Sequence, residues 1–201
     1  MSLKPGSPEH RQFYAAFAKA SYLKPHEQEL PAGFQRDSEL SNRNRQIFYN
    51  PESKHVVMSE RGTVLNEKQF KNSDLGNDAL LALNLHHFSS RFKNSTATAK
   101  KTKKKYNDYD FTVTGHSAGG SAAQYVNRRL GVTAVTYSAH MPTSTIAQEA
   151  LRTIIKDPKK LNAHNYSTIA DPIGIGMVLS GRSYVVKQTD KNAHSLNNFL
   201  Y

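Results

Sequence analysis

The second half of the chain alternates short β-branched, apolar runs with amphipathic stretches. Strands are predicted at 110–114, 132–138, 165–170 and 183–187. Between them, apolar residues recur at helical spacing over 117–130 and 145–155. Strands that alternate with helices are typical of βαβ units. The pattern therefore predicts an α/β fold with a mainly parallel central sheet flanked by helices.

The first half of the chain is less regular. Helices are predicted at 8–22 and 72–92, and strands at 46–49 and 55–58. The lysine-rich stretch 94–107 lacks an apolar period, and we expect it to form an exposed basic loop. A chain of 201 residues without internal repeats predicts a single domain over 1–201.

Composition excludes several classes of site and protein. The chain has no cysteine, so disulfides, thiolate metal sites and cysteine nucleophiles are excluded. No apolar run approaches the roughly 18 residues of a membrane span, and the polar start has no signal-peptide core. We therefore expect neither a signal peptide nor a transmembrane segment, and a cytoplasmic or virion-internal location with peripheral membrane contact.

The net charge points to the kind of partner. Lysine and arginine number 27 against 16 acidic residues, which gives a net charge of +11. Such a balance favours anionic partners, among them phospholipid surfaces and nucleic acid. The basic residues of the predicted loop are candidates for such contact: Lys100, Lys101, Lys103, Lys104 and Lys105.

The most informative motif joins a predicted strand to a predicted helix. Gly115, Ser117 and Gly119 form a Gly-x-Ser-x-Gly pattern, entered by a β-branched strand and left by an alanine-rich helix. This is the setting of a nucleophile elbow, in which a strained turn lifts the serine oxygen above the sheet. The amides and positive dipole of the helix N-terminus favour an oxyanion there. Ser117 is therefore the candidate nucleophile.

A nucleophilic serine needs a histidine base and an acid that orients it. In this architecture the chain order is serine, acid, histidine. Asp171 directly follows the strand at 165–170, and His194 follows the last strand, so both are expected at the carboxyl edge of the sheet, where sites of such sheets lie. The other histidines and acids after the serine are His140, His164, Glu149, Asp157 and Asp190. Among these, Asp190 shares a loop with His194 and is the second candidate acid.

These residues resemble the class 3 lipases, the fungal-lipase-like α/β-hydrolases. The elbow Gly-His-Ser-Ala-Gly-Gly at 115–120 is similar to theirs. So are the Arg-Gly-Thr segment within 59–63, the Asp-Leu pair within 72–75 and the histidine segment 193–199, in the same order. The chain departs from the family at Glu60, where an aromatic residue is usual. The resemblance extends over roughly 40–201 and implies a compact α/β-hydrolase fold.

The resemblance also implies roles for individual residues. Ser117 would be the nucleophile, Asp171 the acid and His194 the base. The amides of Ala118 and Thr63, with the Thr63 hydroxyl, would form the oxyanion hole. The remaining motif residues would shape the elbow or support it: Gly115, His116, Gly119, Arg61, Gly62 and Asp74.

The expected activity is serine-dependent hydrolysis of carboxylic esters of lipids, of the triacylglycerol lipase or phospholipase A1 type. It would proceed through an acyl-enzyme on Ser117 and needs no cofactor or metal. The expected partner is a lipid ester at an anionic membrane surface, and nucleic acid is not expected in the active site. Two alternatives stay open: a soluble short-chain carboxylesterase, and a non-catalytic hydrolase scaffold that binds anionic membrane or nucleic acid.

Overall fold

The structure is a computed structural model that describes residues 3–63, 86–139, 162–171 and 181–201. Its helices are α1 (Pro8–Ala20), α2 (His86–Lys105) and α3 (Ala118–Leu130), with 3-10 turns at Pro25–Glu27 and Leu196–Phe199. Its strands are β1 (Gln35–Arg36), β2 (Arg45–Asn50), β3 (His55–Glu60), β4 (Asp110–His116), β5 (Thr133–Tyr137), β6 (Ala163–Thr168) and β7 (Arg182–Val186). The helix predicted at 145–155 lies outside the described residues, as does most of that predicted at 72–92.

The seven described strands form one sheet in which their spatial order equals their order in the chain. β1, β2 and β3 pair antiparallel, and every later neighbour from β3 to β7 pairs parallel. The mainly parallel sheet is confirmed. All carboxyl ends of β3 to β7 consequently meet at one edge, which brings together segments far apart in the sequence.

Each face of the sheet has its own apolar core, because successive strand side chains point to opposite faces. On one face, Phe48 and Val57 pack beneath Phe17 of α1. On the other face, Met58 packs with residues that meet α2 and α3, among them Ala123. The sheet is therefore covered on both faces, as parallel sheets require.

The prediction of a loop at 94–107 is wrong, because most of this stretch forms the second half of α2. The buried face of this half consists of Ser95, Ala99 and Thr102, which are all fully buried. The hydroxyls of Ser95 and Thr102 donate to the carbonyls four residues earlier, at 2.9 and 3.0 Å. The buried face of this helix consists of small residues and of hydroxyls bonded to carbonyls of the same helix. Its sequence therefore shows no apolar period and resembles that of a loop.

Candidate active site

Ser117 lies at a sharp turn between β4 and α3. Its backbone has φ 56° and ψ −127°, a conformation that non-glycine residues rarely adopt. The Ser117 N–H donates to the Tyr137 carbonyl at 3.0 Å, and the Ser117 carbonyl accepts from the Ser121 N–H at 3.2 Å. The turn is thus fixed on both sides, to β5 and to the first turn of α3. This is the geometry of the predicted elbow.

The glycines of the elbow permit this turn because no side chain fits there. A Cβ on Gly115 would lie 2.5 Å from the Gly119 backbone. One on Gly119 would lie 2.1 Å from the Glu60 carbonyl oxygen, and one on Gly120 2.4 Å from the Ala139 Cβ. Strand, turn and helix are therefore in backbone contact, and the motif glycines have a steric cause.

His194 and Asp171 meet at the same edge of the sheet. The His194 Nδ1 lies 3.1 Å from each carboxylate oxygen of Asp171, which is fully buried, while the His194 side chain is 18% exposed. Since a carboxylate accepts, Nδ1 carries the proton, and Nε2 is the nitrogen free to accept one. The rings of His194 and His116 are 4.9 Å apart, which places the histidine beside the elbow.

The segment carrying Thr63 runs alongside the elbow. Glu60, the last residue of β3, pairs with Gly115 of β4, so the chain continues through Gly62 next to the turn. A Cβ on Gly62 would lie 2.7 Å from the His116 carbonyl oxygen. Ala118, the first residue of α3, is fully buried beneath the same turn. The predicted oxyanion residues therefore belong to two segments that are packed together.

A buried ionic cluster underlies the Arg-Gly-Thr segment. The fully buried Glu60 accepts from Arg45 Nε at 3.0 Å and lies 3.8 Å from Arg91 Nη2. Arg91 also donates to the Arg61 carbonyl. The residue at which the chain departs from the family thus holds two arginines, one of which bonds to the backbone next to Gly62. Neither arginine was a predicted site residue, although a glutamate that ends a buried strand is a signal for such a pair.

The loop that carries His194 is organised by residues without a predicted role. The buried Asn198 amide accepts from the Thr189 and Asp190 N–H groups at 2.8 and 2.7 Å. It donates to the Asn192, Ala193 and Ser195 carbonyls at 2.9 to 3.2 Å. The Thr168 hydroxyl, on the strand that leads to Asp171, donates to the Ala193 carbonyl at 2.8 Å. One asparagine therefore binds both ends of the loop, a role that no local pattern indicates.

The other candidates for base and acid lie elsewhere or outside the described residues. His164, at the start of β6, lies 3.2 Å from the Tyr184 hydroxyl, away from the carboxyl edge. The Asp190 carboxylate accepts from the Ser195 hydroxyl and the Asn197 amide, both at 2.9 Å, so it supports the loop rather than the His194 ring. Asp74, His140, Glu149 and Asp157 lie outside the described residues.

The five candidate lysines do not share one environment. Lys105 forms ion pairs with Asp37 and Glu39 at 2.8 and 2.6 Å, so its charge is balanced within the protein. Lys100, Lys101, Lys103 and Lys104 are exposed on α2. Because α2 ends just before β4 begins, these lysines lie at the edge of the sheet opposite to the elbow.

Neither a metal cluster nor a membrane helix is found in the described ranges. Within them, no three histidine, aspartate or glutamate side chains are grouped so as to hold a metal ion. None of the described helices combines the length and apolar character that crossing a membrane requires.

Comparison with known protein families shows which family the sequence resembles. Residues 57–153 match the family model described as Lipase (class 3), and this segment contains most of β3, the elbow and α3. Over this segment the chain is similar to the class 3 lipases. The family match indicates an ester-hydrolysing enzyme of the lipase type.

Solved structures agree with this relationship at the level of fold. A mutant form of MDLA from Penicillium cyclopium has a TM-score of 0.60 at 14% identity, over 98% of this chain and 86% of that one. Rhizomucor miehei lipase in its propeptide complex gives 0.56 at 12%, over 96% and 76%. The mono- and diacylglycerol lipase from Aspergillus oryzae gives 0.52 at 17%, over 96% and 84%. The α/β-hydrolase fold is confirmed. No curated protein matches the sequence.

Proposed function

We propose that this class 3 lipase relative hydrolyses carboxylic esters of lipids through an acyl-enzyme on Ser117. The observation that carries the proposal is the His194–Asp171 pair, with both carboxylate oxygens 3.1 Å from Nδ1, beside the strained elbow. In the first step the Ser117 oxygen attacks the ester carbonyl while His194 Nε2 takes its proton. Asp171 holds the Nδ1–H tautomer and stabilises the imidazolium that forms.

In the second step the proton passes from His194 to the leaving alcohol. The C–O bond of the ester breaks and leaves the acyl group on Ser117. Water then attacks the acyl-enzyme, with the histidine again acting as base, and releases the fatty acid. The developing oxyanion would be held by the amides of Ala118 and Thr63, with the Thr63 hydroxyl. Loss of one such donor is expected to cost about 10²–10³ in rate.

We infer a glycerolipid as the substrate, either a triacylglycerol or a phospholipid cleaved in the manner of a phospholipase A1. The name of the Aspergillus oryzae relative, a mono- and diacylglycerol lipase, supports an acylglycerol. The net charge of +11 supports action at an anionic lipid surface. A soluble short-chain esterase would share the same machinery and differ only in the acyl groove.

The test compares wild type and Ser117→Ala on a soluble p-nitrophenyl ester and on phospholipid and triacylglycerol vesicles. Fatty acid released from vesicles by wild type and lost in the variant supports the proposal. Ser53→Ala, which changes an exposed serine in the turn between β2 and β3, is the matched control and should keep its activity. Turnover of the soluble ester alone would make the enzyme an esterase. Absence of turnover and of fluorophosphonate labelling would leave only a binding scaffold.

Anionic contact through the exposed lysines of α2 stays a prediction. Their position opposite to the elbow argues that they do not touch the scissile ester. The test replaces four lysines by glutamine: Lys100, Lys101, Lys103 and Lys104. Fewer molecules should then sediment with anionic liposomes, and binding should depend less on salt, because each lysine at the surface contributes roughly 1 kcal/mol to membrane binding. Unchanged liposome binding would contradict a membrane role, and loss of RNA binding instead would assign the face to nucleic acid.

A further inference from the structure

We propose that Tyr22 and His116 form a relay that positions the catalytic histidine and the oxyanion segment relative to the elbow. The inference rests on the proposed serine mechanism and adds two positioning residues to it. Tyr22 follows α1, outside both the matched segment 57–153 and the range of the sequence resemblance. His116 directly precedes Ser117 at the end of β4.

The contacts of His116 fix which of its nitrogens carries the proton. Its Nε2 lies 2.8 Å from the backbone carbonyl of His194, and a carbonyl only accepts. Nε2 therefore carries the hydrogen and donates it. His116 Nδ1 is consequently the unprotonated nitrogen, and it accepts from the Tyr22 hydroxyl at 3.1 Å.

The Tyr22 hydroxyl has a second partner on the oxyanion segment. The backbone of Gly62 hydrogen-bonds to it, and a Cβ at Gly62 would lie 2.0 Å from the hydroxyl oxygen. One hydroxyl thus connects the residue before Thr63 with the residue before Ser117. Through His116 the same chain of bonds reaches His194. Nucleophile, base and oxyanion segments therefore converge on a single tyrosine–histidine pair.

Burial keeps this relay in one protonation state. Burial, reinforced by the neighbouring His194, lowers the pKa of His116 to about 3. Burial raises the pKa of Tyr22 to about 12. His116 consequently stays neutral while His194, whose ring is 4.9 Å away, gains and loses its proton in each cycle. The direction of both relay bonds is therefore constant throughout catalysis.

The relay acts on the base itself rather than on the fold as a whole. α1 is fixed to the sheet independently of Tyr22, through the fully buried Phe17 and its neighbours. The carbonyl that His116 holds belongs to His194, so a shift there displaces the catalytic ring directly. Misplacement of a catalytic group by about 1 Å costs on the order of 10² in rate.

The test replaces the hydroxyl alone, with Tyr22→Phe. Tyr184→Phe is the matched control, because the Tyr184 hydroxyl also pairs with a histidine Nδ1, that of His164 at 3.2 Å, away from the site. We expect Tyr22→Phe to lower kcat on a soluble ester by about 10- to 100-fold with KM changed less than about twofold. Tyr184→Phe should change kcat by less than about twofold even where it lowers the melting temperature equally.

A second variant tests whether Tyr22 acts through His116. His116→Gln presents an amide N–H near the position of Nε2 and removes the Nδ1 acceptor. In that background, Tyr22→Phe should have little further effect on kcat, since the bond it breaks is already gone. Fully additive losses would overturn the relay, as would an equal loss of kcat in Tyr184→Phe.

A spectroscopic readout separates failure of the relay from failure of the proposed activity. In protein labelled with ¹⁵N-histidine, nitrogen shifts should report His116 as the Nε2–H tautomer in wild type and in Tyr184→Phe. In Tyr22→Phe the Nε2–H tautomer should persist, because the His194 carbonyl still accepts from Nε2. The nitrogen shift of the unprotonated Nδ1 should move, because it loses the hydrogen bond from the Tyr22 hydroxyl. An unmoved Nδ1 shift in Tyr22→Phe would overturn the relay whatever the enzyme hydrolyses, whereas a relay intact in an inactive wild type would reject only the serine mechanism.

Discussion

Acid should loosen the packing of α1 on the sheet through one buried histidine. His10 is 4% exposed, and its Nδ1 lies 2.9 Å from the Tyr166 hydroxyl. The same hydroxyl accepts from the Gly6 N–H at 3.0 Å. Burial, with the neighbouring His164, lowers the pKa of His10 from 6.5 to about 4.

The sign and size of the effect follow from proton linkage. Between pH 6.5 and 4 the unfolded chain binds a proton at His10 that the folded protein does not, so stability falls as the pH falls. A pKa of 6.5 unfolded and about 4 folded implies a loss of about 2 kcal/mol between pH 7 and pH 5. Burial also lowers the pKa of His55 and His164, so the whole protein loses more than this.

The contribution of His10 is isolated by His10→Asn, whose side chain keeps an acceptor near the position of Nδ1 but does not titrate. The free energy of unfolding is measured by urea titration at pH 7 and at pH 5. Between these pH values, wild type should lose about 2 kcal/mol more than the variant loses. His26→Asn, which replaces a histidine with 74% of its side chain exposed, should behave as wild type. If wild type and His10→Asn lose the same free energy, the neutral buried histidine inferred here is wrong.

Three further predictions concern the elbow, the ionic cluster and the acid. Gly119→Ala should unfold the elbow and abolish labelling by a fluorophosphonate, because its Cβ would lie 2.1 Å from a carbonyl oxygen. Gly131 has φ 67° and open space around it, so Gly131→Asn should change the melting temperature little. Glu60→Gln should cost about 3–5 kcal/mol in urea titrations, because it leaves the buried Arg45 without a carboxylate partner. Asp108→Asn, from an exposed pair, should change the free energy of unfolding far less. Asp171→Asn should lower kcat by about 10⁴-fold, as the same change does in serine proteases, and a kcat within tenfold of wild type would refute its role.

The elbow was predictable because its requirements are local. A tight turn, backbone contact and a helix start impose glycines and small residues at fixed offsets from Ser117, and the sequence shows them directly. The edge position of Asp171 and His194 followed from the order of predicted strands. Helix α2 was missed beyond residue 92, because its buried face of Ser95, Ala99 and Thr102 has no apolar period.

The supporting residues of the site could not be predicted, because their roles depend on tertiary contact alone. Tyr22 meets His116 across 94 residues of sequence, and nothing near it indicates a partner. Asn198 resembles any polar residue near a turn until its five backbone partners are seen. The two-residue β1 is too short to produce a period.

The sequential order of the strands has a consequence for when the enzyme becomes active. Each strand joins the one made just before it, so the sheet can grow from β1 toward β7 as the chain leaves the ribosome. The proposed nucleophile follows the fourth strand, but its proposed base follows the seventh and is linked to Tyr22 through His116. If Ser117 depends on His194 as proposed, a nascent chain that has formed β4 but not β7 carries an inert serine. On the proposed mechanism, ester cleavage begins only after β7 is added and the loop of His194 packs beside the elbow, so the fold would delay the chemistry until synthesis has passed residue 194.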